Sequence, residues 1–378
     1  MYRYDKNRMK IKKLFMSIIL FISISIGSIV LYEMVTTNYK ISQIQNQQPE
    51  IQKVSQDIRE TISKNKEKEI TEIIEETIKS VVGISKIKNS GTSIFGETSI
   101  QQLGLGTGVV ISENGYILTN EHVSGAKYSS CYVTLENGDV YNGNVVWSDS
   151  NLDVAIVKIN MKGLTAITLG DSETIKIAEQ VYAIGNPIGV EFQRTVTAGI
   201  ISGKDRTIKI EENGTSTYME DLIQTDATIN PGNSGGPLIN TKGEMLAINS
   251  VKITSAEGIG FAIPINIIKP VIEQIITTGK FDEAYLGIFA YDKEVIPYLE
   301  NQVNFDKGIY VAQVDQTGPA RNTGLKIGDI IVKIDNQRMD KMRELRQYIY
   351  TKKPNDEVLL TVLRGNSQLE VKVTLGRK

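Results

Sequence analysis

The stretch that decides the fold reads Asn230-Pro231-Gly232-Asn233-Ser234-Gly235-Gly236-Pro237-Leu238, and it places one serine among glycines. Glycine lets the backbone turn sharply, so that consecutive N–H groups can point at one spot. Charge that develops on a carbonyl oxygen during acyl transfer needs such donors aimed at it in advance. We therefore predict Ser234 as a nucleophile, with the backbone N–H groups of Gly232 and Ser234 as its oxyanion hole.

A serine is a weak nucleophile until a base accepts its proton, and the chain contains one histidine, His122. The glycine-flanked serine also fits Gly-x-Ser-x-Gly, the nucleophile turn of α/β-hydrolases, but that fold needs its histidine after the serine. The subtilisin order needs an aspartate before the histidine, where the chain offers only Asp5 and Asp57. The remaining order is histidine, aspartate, serine, which belongs to the chymotrypsin-like double β-barrel.

Seven aspartates lie between His122 and Ser234, most of them in turn contexts. Asp153 differs because it precedes the apolar run Val154–Val157. A buried carboxylate needs a partner that offsets its desolvation, and an imidazole would be that partner. We predict Asp153 as the third member of the triad and assign Asp226, which also has apolar neighbours, a structural hydrogen-bonding role. A purely structural role for His122 is the alternative.

The region from Ser80 to about Pro264 alternates short β-branched runs with turns that contain glycine and asparagine. Short strands at roughly ten-residue intervals predict an antiparallel barrel or sandwich, so the predicted fold class is mostly β. A parallel nucleotide-binding sheet is disfavoured, since Val109 stands where a dinucleotide motif needs its third glycine. The predicted strands include Val81–Ile84, Gly108–Ile111, Tyr116–Thr119, Val133–Leu135, Val154–Ile159, Val181–Ile184, Ile200–Ser202 and Met245–Ile248.

A predicted helix, Asn266–Thr278, separates this region from a second domain that begins at Phe281. The second domain shows the same short, bounded apolar runs and one amphipathic helix that carries Met342, Leu345 and Ile349 on one face. Asp340 precedes that helix as its candidate N-cap. The predicted strands of this domain are Gly308–Val314, Ile330–Ile334, Glu357–Arg364 and Glu370–Thr374.

The N-terminus combines a basic tail with an apolar run, Leu14–Tyr32, that carries no charge. At about 1.5 Å per residue this run is long enough to cross the roughly 30 Å hydrocarbon core of a bilayer. The positive-inside rule places the tail in the cytoplasm and the domains outside. A cleaved signal peptide is the alternative, but the first alanine is Ala126, so no Ala-x-Ala cleavage site exists. Residues 33–50 predict a flexible spacer, and residues 51–79 predict an amphipathic lead-in helix through Ile70, Ile73, Ile74 and Ile78.

Charge and cysteine usage exclude several classes of protein. The net charge of −2 over 378 residues gives no electrostatic reason to expect a nucleic-acid partner. The single cysteine, Cys131, cannot form an intramolecular disulfide, and we interpret it as a thiol packed on a strand rather than a nucleophile.

Several motifs resemble blocks of the HtrA/Deg family of trypsin-like serine proteases, in the order that the family has them. They are Thr119-Asn120-Glu121-His122-Val123, Asn151-Leu152-Asp153-Val154-Ala155, Ala183-Ile184-Gly185-Asn186-Pro187, Gln224-Thr225-Asp226-Ala227, the nucleophile stretch, and Gly258-Ile259-Gly260-Phe261-Ala262-Ile263-Pro264. The C-terminal domain is similar to a PDZ domain through Tyr285-Leu286-Gly287-Ile288, Gly318-Pro319-Ala320 and Gly324-Leu325-Lys326-Ile327-Gly328-Asp329. The resemblance covers about residues 80–376, and Glu121 departs from it, since the family often has a neutral residue there.

The resemblance implies an endoprotease that cleaves unfolded or misfolded proteins outside the cytoplasm, without ATP, metal or other cofactor, usually as a homotrimer. It implies that Tyr285, Leu286, Gly287 and Ile288 form the loop that binds the carboxylate of C-terminal peptides. By position it implies that the uncharged Ile229 and the segment Asn249-Ser250-Val251 hold the substrate, and hence that an aliphatic residue precedes the scissile bond.

The predicted organisation is a cytoplasmic tail (1–13), a single transmembrane anchor (14–32), a linker with a lead-in helix (33–79), a trypsin-like protease domain (80–278) and a PDZ domain (281–376). The alternative function is a peptide-binding scaffold or chaperone whose protease domain rests. The complete triad disfavours permanent inactivity but leaves open a resting state that a bound peptide relieves.

Overall fold

The computed structural model describes residues 4–64, 69–89, 101–185, 194–212, 215–250, 258–298 and 305–378. The chain forms two compact units, Met1–Lys68 and Glu69–Lys378. In the first unit a single helix, α1, extends from Tyr4 to Lys64. Its segment Lys12–Ser42, which contains an 18-residue window with a mean hydropathy of 2.6, is long and apolar enough to cross a membrane.

The expectation of a flexible spacer at residues 33–50 is wrong, because α1 continues through them. From Ser28 to Gln48 the chain has neither glycine nor proline, so nothing in that stretch interrupts the backbone hydrogen bonds of the helix. The lead-in helix is present as α2, Ile70–Ile78, which is shorter than predicted. Ile70, Ile74 and Ile78 pack against the main core, as their spacing predicts.

The first closed barrel has six antiparallel strands in the order β1-β2-β3-β6-β5-β4. Its core contains Ile84, Ile117, Val133 and Val157, which alternate along their strands with outward-facing residues. A short helix, α3 (Glu121–Ser124), follows β3. The strands are β1 (Val81–Asn89), β2 (Gln101–Ser112), β3 (Tyr116–Thr119), β4 (Ser130–Thr134), β5 (Val140–Asp149) and β6 (Val154–Ile159).

The second closed barrel has the order β10-β11-β12-β9-β8-β7, and together the two barrels confirm the predicted fold class. The serine-containing turn joins β9 to β10. The strands β8 and β9 form a long hairpin. The strands are β7 (Gln180–Gly185), β8 (Thr195–Glu212), β9 (Thr215–Thr225), β10 (Pro237–Ile239), β11 (Met245–Ser250) and β12 (Gly260–Pro264), and helix α4 (Lys269–Thr278) follows.

The C-terminal domain has its own core, which includes Ile309, Ile331, Leu345 and Leu360. One sheet has the order β14-β15-β16-β18-β19, with β17 paired to β16, and β13 pairs with β20 in a second sheet. The elements are β13 (Ala284–Tyr285), β14 (Ile288–Tyr291), β15 (Ile309–Val314), β16 (Ile330–Ile334), β17 (Gln337–Arg338), α5 (Met342–Tyr350), β18 (Glu357–Arg364), β19 (Ser367–Thr374) and β20 (Gly376–Arg377).

The expectation that Asp340 caps α5 is wrong, because the N-cap is Lys341. Asp340 Oδ1 accepts a hydrogen bond from the Gly308 N–H at 3.3 Å instead. The N–H of Met342 donates to Asp292 Oδ2 at 3.2 Å, so a residue distant in sequence satisfies the first turn of the helix.

The C-terminal domain packs against the barrels through an aromatic cluster. Trp147 from β5, Phe281 after α4 and Tyr350 from α5 meet edge to face, with ring centroids 5.6 to 6.2 Å apart. The Tyr350 hydroxyl donates to Asp149 Oδ2 at 2.7 Å. Helix α5 is therefore anchored to the turn that follows β5 and leads to Asp153.

Candidate active site

His122 lies in α3, directly after β3, so the first barrel presents its ring. The His122 Nδ1 atom lies 2.8 Å from Asp153 Oδ2 and 2.9 Å from Asp153 Oδ1. A carboxylate at Nδ1 holds the proton on that nitrogen and leaves Nε2 as the proton acceptor. The side chain of His122 is 35% exposed, so a substrate can reach it.

Asp153 is 2% exposed and occupies the turn before β6, where it adopts a left-handed φ of 54°. Its Oδ1 accepts the His122 N–H at 3.1 Å, and its Oδ2 accepts the Ser250 hydroxyl at 3.1 Å. Its backbone carbonyl accepts the Asn120 side-chain amide at 2.8 Å. These bonds compensate the desolvation of the carboxylate and fix its direction towards the imidazole.

Ser234 is 3% exposed and lies in a turn that is wedged between the two barrels. Its carbonyl accepts the N–H of Thr107, in β2, at 2.9 Å. A Cβ atom at Gly235 would lie 2.2 Å from the Thr107 carbonyl oxygen and 3.1 Å from the backbone N of Asn120, and one at Gly236 would lie 2.1 Å from the Ile184 carbonyl oxygen. Only glycine, which has no Cβ, lets the backbone come this close to the neighbouring strands. These contacts place the serine turn against the segment that carries His122.

The backbone of the serine turn is defined around Gly232 and Asn233, and its role as an oxyanion hole stays a prediction. Gly232 adopts a φ of 107°, which favours glycine. The N–H of Asn233 is engaged within the turn by the Asn230 carbonyl at 2.9 Å. Among the residues that the structure describes, the N–H of Gly232 donates to no acceptor, so it is available to an oxyanion.

The residues expected to hold the substrate lie in different surroundings. Ile229 is half-buried beside Gly260, where an added Cβ would lie 2.6 Å from Ile229 Cγ1. Asn249 and Ser250 are buried on β11, which pairs with β10 and β12 and is not an edge strand. Ser250 binds Asp153, and the Asn249 amide donates to the Pro237 carbonyl at 3.1 Å. Val251 lies outside the described residues, and pocket lining by Ile229 stays a prediction.

Sequence reasoning missed Thr107 and Asn120 as residues that support the site from outside the triad, and it assigned Ser250 to substrate binding rather than to the Asp153 carboxylate. Gly185 is a further residue that it missed, because an added Cβ there would lie 2.5 Å from the Asn233 Cα. From the sequence, Ala183–Pro187 was identified only as a motif of the family, and the contact of Gly185 with the serine turn was not predicted. Residues 186 and 187 lie outside the described residues.

Cys131 is a buried thiol in the core of the first barrel and lies outside this site. Burial raises the pKa of the Cys131 thiol to about 11, so it is not a thiolate near neutral pH. In the part of the chain that the structure describes, no three His, Cys, Asp or Glu side chains gather in a way that could hold a metal ion.

A groove of about 610 Å³ runs between β14 and α5 of the C-terminal domain, within the size range of ligand sites. Tyr285, Leu286, Gly287 and Ile288 line it, as predicted for a carboxylate-binding loop. Gly287 adopts a φ of 77°, and an added Cβ would lie 2.7 Å from Pro319 Cδ. The opposite wall comes from the apolar face of α5, and Asp149 and Asn151 of the first barrel close one side.

Two family models match the chain in the places that the fold indicates. Residues 106–248 match the trypsin-like peptidase domain, and residues 285–375 match the PDZ domain. The chain is 39% identical over 330 residues to the serine protease Do-like HtrA of Bacillus subtilis (strain 168), which covers 82% of this chain and 73% of the relative. The chain belongs to the HtrA family of serine proteases.

Other comparisons agree with this membership. The HtrA-family chain is 35% identical over 300 residues to the serine endoprotease DegS of Haemophilus influenzae, covering 78% of this chain and 84% of DegS. A solved structure, the HtrA-type protease AlgW with a tripeptide, superposes with a TM-score of 0.61 at 34% identity, covering 82% of this chain and 97% of that one. This HtrA-family protein is a serine endopeptidase with one C-terminal PDZ domain, a module that binds peptides.

Buried charges join the PDZ helix α5 to the β8–β9 hairpin of the protease domain. The Arg343 guanidinium contacts Asp205 and lies 3.5 Å from Asp221 Oδ1, and the Arg343 N–H donates to Asp221 Oδ2 at 2.8 Å. Glu220 lies beside this network, and its Oε1 atom is buried without a hydrogen-bond partner among the described residues. Burial, together with the charge of Asp292, raises the pKa of Glu220 to about 8 and the pKa of Asp221 to about 6.

We predict that replacing Glu220 with glutamine stabilises the fold at alkaline pH. Because the folded-state pKa of Glu220 is raised above its ordinary value of 4.5, stability is retained at acidic pH and falls as the pH rises towards about 8. The variant should lose this dependence of stability on pH. Its free energy of unfolding should exceed that of the parent by about 1–3 kcal/mol near pH 9 and equal it near pH 4. Urea titrations that follow the fluorescence of Trp147, the one tryptophan, measure the difference. Exposed Glu113, changed to glutamine, is the control, and equal stability of parent and E220Q at both pH values would contradict the prediction.

Proposed function

We propose that this protease cleaves unfolded or misfolded proteins outside the cytoplasm, using His122, Asp153 and Ser234 as its triad. The observation that carries the proposal is the short contact between His122 Nδ1 and the buried Asp153 carboxylate, next to a glycine turn wedged between the barrels. HtrA-family relatives from several bacteria are described as serine endoproteases, four of them as probable periplasmic DegP-like enzymes.

In the proposed mechanism the Ser234 hydroxyl attacks the scissile carbonyl while His122 Nε2 accepts its proton. The N–H groups of Gly232 and Ser234 stabilise the oxyanion of the tetrahedral intermediate. His122 then donates the proton to the leaving amine, and an activated water hydrolyses the acyl-enzyme. Asp153 orients the imidazole and stabilises its cationic form, while the Ser250 hydroxyl keeps the carboxylate in place.

Substrate access follows from the uncharged surroundings of Ile229. A half-buried isoleucine beside Gly260 offers an apolar surface without a charge, which suits an aliphatic residue before the scissile bond. We place Val251 in the same substrate-binding segment by sequence position. C-terminal peptides occupy the PDZ groove at Tyr285, Leu286, Gly287 and Ile288 through strand addition to β14.

The N-terminal helix α1 is proposed as a single-pass anchor that holds the protease and PDZ domains outside the cytoplasm. Its apolar segment Lys12–Ser42 follows a basic tail, as the positive-inside rule requires for this orientation. A cleaved signal sequence would leave the mature protein without this helix, so an epitope placed at the N-terminus and found on the mature membrane protein supports the anchor. A homotrimer is proposed from the family alone, and its test is the mass of the detergent-solubilised protein.

The function is tested by comparing digestion of one substrate protein in its folded form and in a permanently unfolded form, with the full chain in detergent micelles. We expect cleavage at least about 10-fold faster for the unfolded form, because only an extended segment can present its scissile bond to the serine turn. Equal cleavage of both forms would contradict quality control as the function. C-terminal peptides added to the same assay should raise the cleavage rate of a resting protease and leave that of a constitutively active protease unchanged.

A further inference from the structure

Two arginines of helix α5 have different contacts. Arg343 contacts Asp205, Asp221 and Glu173 of the protease domain. Arg346 lies three residues further along, near Asp149 of the same domain, and lines the peptide groove. Of the two guanidinium groups, that of Arg346 is the one that reaches the groove.

Arg346 makes no hydrogen bond and no ion pair with any residue that the structure describes, although it is half-buried. Burial is the largest single effect and opposes its charge, but the combined attraction of Asp149, Tyr350, Glu220 and Asp221 outweighs burial and leaves the pKa of Arg346 raised. A half-buried guanidinium with five donors and no acceptor is costly unless a ligand or solvent satisfies it.

The acidic residues that line the groove are already engaged. Asp149 accepts the Tyr350 hydroxyl at 2.7 Å, the Asn151 N–H at 2.9 Å and the Leu152 N–H at 3.1 Å. Glu283 pairs with Lys378 at 2.8 Å. Asp315, the third acidic lining residue, accepts the N–H and the hydroxyl of Thr317. Among the described lining residues, Arg346 is the ionic group whose hydrogen-bonding capacity is unmet.

We propose that Arg346 is a carboxylate-binding residue of the groove and selects C-terminal peptides that carry an acidic side chain upstream of an apolar last residue. The inference rests on peptide binding at this groove as proposed above. The loop at Gly287 takes the terminal carboxylate, and the apolar side chains of Leu345 and Ile349 take the last side chain, which leaves the guanidinium for a second carboxylate. A planar guanidinium binds a carboxylate through two parallel hydrogen bonds, which glutamine cannot match.

The test uses the full chain in detergent with Ser234 changed to alanine, so that bound peptides are not cut. Fluorescence anisotropy measures Kd for labelled peptides with a phenylalanine or valine at the C-terminus and glutamate or glutamine at each of the three preceding positions. We expect glutamate at one of these positions to bind about 5- to 20-fold more tightly than glutamine. The preference should disappear in R346Q, stay partly in R346K and weaken as salt is raised.

R343Q is the matched control on the same helix, and it should keep the preference for glutamate because Arg343 faces the protease domain. Equal binding of glutamate and glutamine peptides by the parent overturns the inference, while a retained need for an apolar last residue keeps the proposed function intact. If amidating the peptide C-terminus abolishes the effect of R346Q, Arg346 binds the terminal carboxylate instead, and the proposed side-chain selection is overturned. Failure of every peptide to bind rejects PDZ recognition itself, and the inference with it.

Discussion

Replacement of Ser234 by alanine is expected to lower kcat/KM for peptide hydrolysis by about 10⁵-fold or more, because no other group can form the acyl-enzyme. The turn around Ser234 holds its shape through backbone contacts, including the bond from the Thr107 N–H to the Ser234 carbonyl. Loss of the hydroxyl should therefore leave the fold and the PDZ groove unchanged. Steady-state hydrolysis of a fluorogenic peptide by parent and variant measures the effect.

The control for this variant is its affinity for C-terminal peptides, which should equal that of the parent. Retention of more than about one hundredth of the parent rate would remove Ser234 from the mechanism, since the loss of a catalytic nucleophile is far larger. A variant that binds peptides normally and hydrolyses none would support hydrolysis by the protease domain and peptide binding by the PDZ domain as separate functions.

Replacement of Asp153 by asparagine is expected to lower kcat by about 10³- to 10⁴-fold while the structure stays folded. An asparagine amide can donate to His122 Nδ1, which would place the ring proton on Nε2 and remove the base. The substitution is isosteric at a site that is 2% exposed, so packing is preserved. Single-turnover and steady-state kinetics, with KM reported separately, tell this chemical defect from a binding defect.

Ser250→Ala is the matched control for Asp153→Asn. It removes one of several donors to the same carboxylate and leaves the imidazole contact in place. We expect about a 10-fold reduction in kcat, because a hydrogen bond to a charged carboxylate contributes about 1.5 kcal/mol or more. If both variants lose activity to the same small extent, Asp153 does not orient the base and another acidic residue must do so.

The sequence predicted those parts of the fold that depend on local pattern and chain order. Strands β3, β6, β16 and β18 begin and end at the predicted residues, because each is a β-branched run with clear turn signals on both sides. The order of His122, Asp153 and Ser234 along the chain selects the double barrel over the other folds that use a serine nucleophile. A single histidine makes that choice unambiguous.

Contacts between distant segments could not be predicted in this way. The bond from Tyr350 to Asp149 joins residues 201 positions apart, and the first turn of α5 donates a hydrogen bond to the distant Asp292 rather than to the adjacent Asp340. Ser250 looked like a substrate-binding residue from its position, yet its hydroxyl points at Asp153. The helical conformation of residues 33–50 was missed because their polar composition favours a linker, although residues 28–48 contain neither glycine nor proline to interrupt a helix.

Labelling with a fluorophosphonate tests the central claim most directly, because this reagent reacts only with a serine that a base has activated. The parent is expected to carry one label, located at Ser234 by peptide mass mapping. Neither Ser234→Ala nor His122→Ala should be labelled, although both should still bind C-terminal peptides in the groove. Equal labelling of the parent and the His122→Ala variant would contradict the account, because the chain contains no second histidine that could replace the base.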